Sequence, residues 1–145
     1  MSESKEHLTL VDAIVRYIAR EHGHISCLVI LDDKLGRGQG AKPPRVGGFT
    51  PDVYAADAPT TTTIVGEAKT SGDLDNEHTR NQVGAFMEHL RYRTNSSFVL
   101  AVPWTAVAVA RSLAIEVQRK VGAGNVDIVI IDTRAKPLAF IRGTR

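Results

Sequence analysis

Cysteine, aromatic residues and long apolar runs are all scarce in this chain. Cys27 is the only cysteine among 145 residues, which excludes an internal disulfide and a zinc site built from two or four cysteines. Its apolar neighbours predict a buried, unreactive thiol. No apolar run approaches the length of about 20 residues that a membrane-spanning helix needs, and the first residues are polar. We therefore expect a cytoplasmic protein that does not enter a membrane.

Several catalytic signatures are also missing. The sequence has no HExxH, no GxSxG and no GxxxxGK[ST] motif, and its histidines follow no metal-binding spacing. These absences argue against a zinc protease, an α/β-hydrolase and a P-loop nucleotide-binding protein. The glycine-rich segment 36–40 lacks the spacing of a dinucleotide-binding loop, and we interpret it as a flexible basic loop.

Charge is nearly balanced overall but unevenly distributed. With 18 basic and 16 acidic residues, the composition does not single out nucleic acid as a partner. Segments 34–48 and 134–145 nevertheless contain no acidic residue. The basic residues of the first segment are Lys34, Arg37, Lys42 and Arg45. Basic segments beside an acidic site hold a polyanion, so we predict that the first one contacts nucleic acid. The alternative is a solvated surface.

Hydrophobic periodicity predicts alternating helices and strands. In chain order we expect a helix over 7–21, strands over 25–31, 50–56 and 61–69, a helix capped by Asp73 or Asp75, a strand over 97–102, a helix ending near Val121, a strand over 126–131 and a last edge strand over 138–141. The first three strands suit an antiparallel meander, and the later ones suit parallel neighbours joined by helices. We predict one α/β domain over 1–145, with three α/β/α layers and a mixed central sheet.

The most informative pattern is Pro51-Asp52 followed by Glu67-Ala68-Lys69 on the next predicted strand. Alternate residues of a strand face the same way, so Glu67 and Lys69 share a face. A short turn between the strands brings Asp52 alongside. Two carboxylates suit Mg²⁺, which takes oxygen ligands and keeps several waters, and an adjacent ammonium orients a water or neutralises a phosphate. The alternative is a pair of exposed carboxylates, one of them salt-bridged to Lys69.

This motif, on the second and third strands of an αβββαβ core, resembles that of the PD-(D/E)xK phosphodiesterase superfamily, the restriction-endonuclease-like fold. The resemblance covers roughly residues 8–102. In addition, the stretch Asn81-Gln82-Val83-Gly84-Ala85-Phe86 resembles the Gln-xxx-Tyr signature of RecB-like members. Phe86 replaces the tyrosine, so no role of a phenolic hydroxyl carries over to this chain.

The resemblance implies roles for the motif residues. Asp52, Glu67 and the backbone carbonyl of Ala68 would bind the metal. Lys69 would orient the attacking water or stabilise the pentacovalent phosphate. Gln82 either bonds a water or a DNA phosphate, or is a surface residue.

Two more residues are weaker candidates. Many superfamily members add an acid from the first helix, and Asp12 is placed as in small Holliday-junction resolvases. Glu21 is the second choice, and an ordinary surface charge is the alternative for both. His78 lies one turn before Gln82 on the same side of the predicted helix. It either faces the substrate or is a solvated histidine.

The function implied by the resemblance is a metal-dependent endonuclease that hydrolyses phosphodiester bonds of DNA, with Mg²⁺ as cofactor and Mn²⁺ as its substitute. So small a domain suggests a homodimer or a subunit of a larger complex. One alternative is a catalytically silent module that keeps the fold and binds nucleic acid or a protein. Another is an unrelated α/β module, in which Asp52 and Glu67 would lie far apart.

Overall fold

A computed structural model describes residues 4–35 and 41–144 of the chain. Its elements are α1 (Lys5–His22), β1 (Val29–Asp32), β2 (Val53–Ala56), β3 (Thr63–Ala68), the short α2 (Ser71–Leu74), α3 (Glu77–Arg91), β4 (Ser96–Ala101), a 3₁₀ turn (Trp104–Ala106), α4 (Val107–Val121), β5 (Asp127–Ile131) and β6 (Pro137–Ile141). The predicted α/β class is confirmed. Within those ranges, no helix is both long enough and apolar enough to cross a membrane.

The six strands form one mixed sheet in the order of the sequence, β1 to β6. Neighbours are antiparallel from β1 to β3, parallel from β3 to β5, and antiparallel again for β6. As a result, β1, β3, β4 and β5 all end, and β2 and β6 both begin, at one end of the sheet. We call this the carboxyl end. It gathers side chains that are distant in sequence.

Helices cover both faces of the sheet, and β4 shows the alternation. Val99 and Ala101 pack in the cluster with α1, whereas Phe98 and Leu100 pack in the cluster with α3 and α4. On the α1 side, Gly66 of β3 permits a close approach, because a Cβ there would lie 2.6 Å from Cγ2 of Ile14. Such a contact is too short for real atoms, so α1 can sit against β3 only because residue 66 is glycine.

The first strand is shorter than predicted. Residues 25–28 form a turn instead, in which the backbone N–H of Ile25 bonds the carbonyl of His22 at 3.0 Å. Cys27 has a φ of 61°, in the left-handed region that interrupts a strand. Its side chain is exposed, so the prediction of a buried thiol is wrong.

The start of α3 also differs from the prediction. Asn76 is its cap, accepting a 2.8 Å hydrogen bond from the backbone N–H of Thr79. Asp73 lies within α2 instead, and Asp75 pairs with Arg80 at 2.6 Å. The apolar stripe predicted for this helix is confirmed, since Val83, Phe86, Met87 and Leu90 are all buried.

Candidate active site at the carboxyl end of the sheet

Strand pairing places Asp52 beside Glu67. Val53 lies opposite Gly66 in the antiparallel β2–β3 ladder, so the preceding Asp52 meets the following Glu67. Two bonds then cross between the strands. Glu67 Oε1 accepts the backbone N–H of Asp52 at 3.1 Å, and Asp52 Oδ2 accepts that of Ala68 at 2.9 Å. Both residues are buried, at 5% and 4% exposure.

The two buried carboxyl groups repel each other when both are ionised, so the charge on one opposes ionisation of the other. Burial, reinforced by the negative charge of Asp52, raises the pKa of Glu67 well above its ordinary 4.5. Burial opposes ionisation of Asp52 too, but hydrogen bonds from His7, Glu67 and the backbone of Ala68 hold its pKa below 3.8. Of the two acids, Glu67 therefore keeps its proton to the higher pH, and Asp52 ionises first.

Lys69 stands at the edge of this acid pair. Its Nζ lies 3.8 Å from Glu67 Oε2 and donates a 2.6 Å hydrogen bond to Oε1 of Gln82. The predicted site glutamine therefore does reach the cleft, but in this structure it bonds the lysine rather than water or phosphate. Gln82 lies on α3, so this helix holds the ammonium in place.

His7 is a site residue that the sequence did not reveal. It lies on the first turn of α1, where its backbone N–H bonds the Ser4 hydroxyl at 3.1 Å. Its Nε2 is 3.3 Å from Asp52 Oδ2 and 3.2 Å from the carbonyl oxygen of Ala68. The sequence offered one indication of its role: His7 lies on the first helix, which was expected to supply an acid to the site.

Asp12, the acid predicted from that helix, does not line the cleft. Its Oδ2 bonds Arg16 Nε at 2.9 Å, and Arg16 in turn donates to the carbonyl of Thr133 beyond β5 at 2.8 Å. Glu21 is farther still, because 14 residues of helix after His7 span about 21 Å. The first helix therefore contributes a histidine to the cleft where we predicted a carboxylate.

Among the predicted nucleic-acid contacts in the described residues, Lys34 lines the cleft. Its Nζ is 3.3 Å from Asp33, and the exposed Lys42 reaches the other oxygen of the same carboxylate at 4.0 Å. Arg37 lies outside the described residues.

The other two predicted contacts are not among the residues that line the cleft. Arg45 donates to the carbonyl of Gly48. His78 is exposed and packs edge-on against the ring of Phe49, with 5.8 Å between ring centroids. Unlike Gln82, His78 does not line the cleft, although both residues lie on α3.

The acid pair, His7, Lys34, Lys69 and Gln82 border one open cleft of about 390 Å³. Its described lining comprises Ser4, His7, Lys34, Thr50, Asp52, Glu67, Ala68, Lys69, Thr70, Asp73 and Gln82. Among residues 4–35 and 41–144, no three side chains of His, Cys, Asp or Glu are arranged to hold a metal ion by themselves. The oxygens that converge here are those of two carboxylates and the Ala68 carbonyl.

Comparison of this chain with protein-family models, curated proteins and solved structures finds no match. The resemblance to the PD-(D/E)xK superfamily therefore stays a prediction, which depends on the motif residues and on the order of the helices and strands that carry them.

Proposed function

We propose that this chain is a Mg²⁺-dependent deoxyribonuclease, an endonuclease whose catalytic residues are Asp52, Glu67 and Lys69. One observation carries the proposal: a buried pair of acids, each bonded to a backbone N–H of the neighbouring strand, opens onto a cleft, with a lysine amine 3.8 Å from the second acid. Bringing two acids together out of water costs free energy through desolvation and mutual repulsion. A bound cation offsets that cost.

The donor set fits Mg²⁺. Each carboxylate uses one oxygen for a backbone N–H of the neighbouring strand, and those two bonds leave Oδ1 of Asp52 and Oε2 of Glu67 for a cation. The Ala68 carbonyl supplies a third oxygen, and waters complete the shell that Mg²⁺ prefers. Mn²⁺ takes similar ligands and should substitute. When bound, the ion supplies charge neutralisation at the phosphate and lowers the pKa of a coordinated water.

The side chains have separate tasks in hydrolysis. Water adds across the P–O3′ bond: its oxygen bonds phosphorus, and the 3′ oxygen leaves with a proton. Lys69 has three N–H donors, of which Gln82 accepts one. Another donates to the attacking water or to a phosphate oxygen as charge builds. His7 holds the Asp52 carboxylate and the Ala68 carbonyl together, so both keep their positions as substrate enters.

DNA as substrate is supported by Lys34 on the cleft wall and by Lys42 next to it. Assembly into a homodimer or a larger complex is part of the proposal too. Leu138 and Phe140 are large apolar side chains left exposed on the edge strand β6. They provide a surface for such a contact.

The test is plasmid nicking with Mg²⁺, with Mn²⁺ and with a chelator, comparing wild type with Glu67→Ala. We expect metal-dependent nicking that Glu67→Ala reduces by about 100-fold or more. Glu88→Ala is the matched control, because Glu88 is a partly exposed acid on α3 that pairs with Arg91. Circular dichroism checks that both variants fold. Failure of wild type to cut plasmid, linear, single-stranded and branched DNA with either metal would favour the silent binding module.

A further inference from the structure

We propose that the carboxyl end of the sheet is a track for single-stranded DNA, on which Trp104 stacks against an unpaired base next to the cleft. This inference rests on the proposed function, because it names the form of substrate that the same site accepts.

Trp104 is the only tryptophan in the sequence, and it is 71% exposed. Tryptophan is a highly buried residue on average, so an indole left open to water is a notable feature. It lies just past the end of β4, the strand beside the one that carries Glu67. Lys69 donates its backbone N–H to Ala101, the last residue of β4, at 3.0 Å. Three residues later, Trp104 lies within about 10 Å of Ala101 along the chain.

Positive charge lies on both sides of the cleft and the indole. At the β1 side, Lys34 and Lys42 share the single carboxylate of Asp33. Those three groups carry two positive charges and one negative charge. Lys42 is 73% exposed, so its ammonium can contact a phosphate that enters there.

The β6 side of the sheet also carries two positive charges and one negative charge. Arg134 binds the buried Asp132 at 2.8 Å, while Lys136 is exposed two residues later, just before β6. Six strands about 4.8 Å apart span about 24 Å from one basic group to the other. Single-stranded DNA covers such a distance with several nucleotides, in keeping with the 4–16 or so that nucleic-acid-binding grooves accommodate. The acids and the indole lie between the two ends.

The indole favours single-stranded over duplex DNA. Every base has a π-face that can stack on an aromatic side chain, but in a duplex those faces are covered by neighbouring bases. A duplex could contact the basic groups but not the exposed ring. An unpaired strand can use both.

The sole tryptophan provides the experiment. With EDTA present, an oligothymidine of about 12 nucleotides is added to the full chain while tryptophan emission is recorded. We expect quenching that saturates, weakens with added salt and is absent with a duplex of the same length. Anisotropy of a labelled oligothymidine then measures affinity. Trp104→Ala should weaken binding about 5- to 150-fold, the equivalent of one lost base stack, and Trp104→Phe should retain most of it.

The opposite end of the sheet supplies the controls. Tyr92 is 73% exposed but precedes β4 instead of following it, so Tyr92→Ala should leave affinity unchanged. Lys136→Ala should reduce affinity and its salt dependence, whereas Lys120→Ala, at the far end of α4, should not.

Three results would overturn the track: no binding of the oligothymidine, binding without a change in emission, or equal affinity of Trp104→Ala and wild type. Quenching without any metal-dependent cleavage would refute the nuclease and leave the track. Cleavage that is indifferent to Trp104 would refute the track and leave the nuclease. The emission titration on wild type decides the matter even if Trp104→Ala does not fold.

Discussion

The polar side chains of the cleft differ in their contacts from a second set at the opposite end of the central sheet. At the carboxyl end, side chains from different elements contact one another: His7 lies 3.3 Å from Asp52, and Lys69 donates to Gln82. Two acids are brought together there, and the charge of Asp52 adds to burial in raising the pKa of Glu67. A fold gains little from such an arrangement, since buried like charges oppose each other.

At the other end, polar side chains bond backbone carbonyls where helices finish. Arg91 donates to the carbonyl of Val121 at 2.8 Å, and Gln118 donates to that of Val126 at 3.1 Å. Asn125 likewise donates to the carbonyl of Arg91 at 3.0 Å. The bonds to Val121 and Arg91 satisfy carbonyls that a helix end leaves without partners, and the bond to Val126 satisfies a buried carbonyl just before β5. The comparison separates a set of side chains that stabilises the fold from a set that carries the proposed chemistry.

The largest expected effect comes from Glu67→Gln, which keeps the shape of the side chain and removes its acid. Cleavage should fall about 100- to 1,000-fold, because the metal loses a charged ligand. Without metal, the variant should be more stable than wild type at neutral pH by about 0.5–2 kcal/mol. The amide carries no charge, so it does not repel Asp52 as an ionised Glu67 does. Nicking rates and urea denaturation in EDTA measure the two effects.

The pH dependence sharpens this prediction. The pKa of folded Glu67 is raised above 4.5, so its protonated form stabilises the fold at and below that pH. This stabilisation declines as pH rises through the raised pKa. The amide of the Glu67→Gln variant has no such titration, and the stability advantage of this variant should therefore grow with pH. A variant less stable than wild type across pH 5–9 or so would contradict the assignment of the proton to Glu67.

At the other end of the sheet, Gln118→Ala should have the opposite profile. It leaves the carbonyl of Val126 buried without its side-chain donor, at a cost of about 1–3 kcal/mol. Cleavage per folded molecule should stay at the wild-type level, because Gln118 is not near the cleft. Denaturant midpoints and nicking rates corrected for the folded fraction check both parts. A loss of turnover that persists after this correction would break the separation between the two ends.

What could be predicted from the sequence was mainly local. Asp52 and Glu67 belong to consecutive predicted strands joined by a short turn. Strand alternation was therefore enough to predict that their side chains lie close together. The burial of the α3 stripe likewise followed from its helical spacing. In both cases, the contacts depend on residues within one or two adjacent elements.

The unpredicted features depend on how distant elements dock or turn. His7 reaches the acids only because α1 sits close against Gly66, a contact between segments far apart in the chain. Neither the helical periodicity nor the motif predicts how closely α1 packs against β3. Cys27 is exposed because residues 25–28 turn, although an apolar, β-branched composition favours a strand. The backbone hydrogen bond from Ile25 to His22 at the end of α1 favours the turn over the strand that composition predicts.

The smallest expected effect tests whether Gln82 positions Lys69. Gln82→Ala removes the 2.6 Å acceptor of the ammonium, so Lys69 should sample more orientations and nicking should slow about 10-fold. Asn81→Ala is the matched control, since Asn81 is the exposed neighbouring residue on α3. Gln82→Glu restores an acceptor and should recover part of the lost rate. If Gln82→Ala nicks at the wild-type rate, the ammonium is held by Glu67 alone, and α3 contributes only a wall to the cleft.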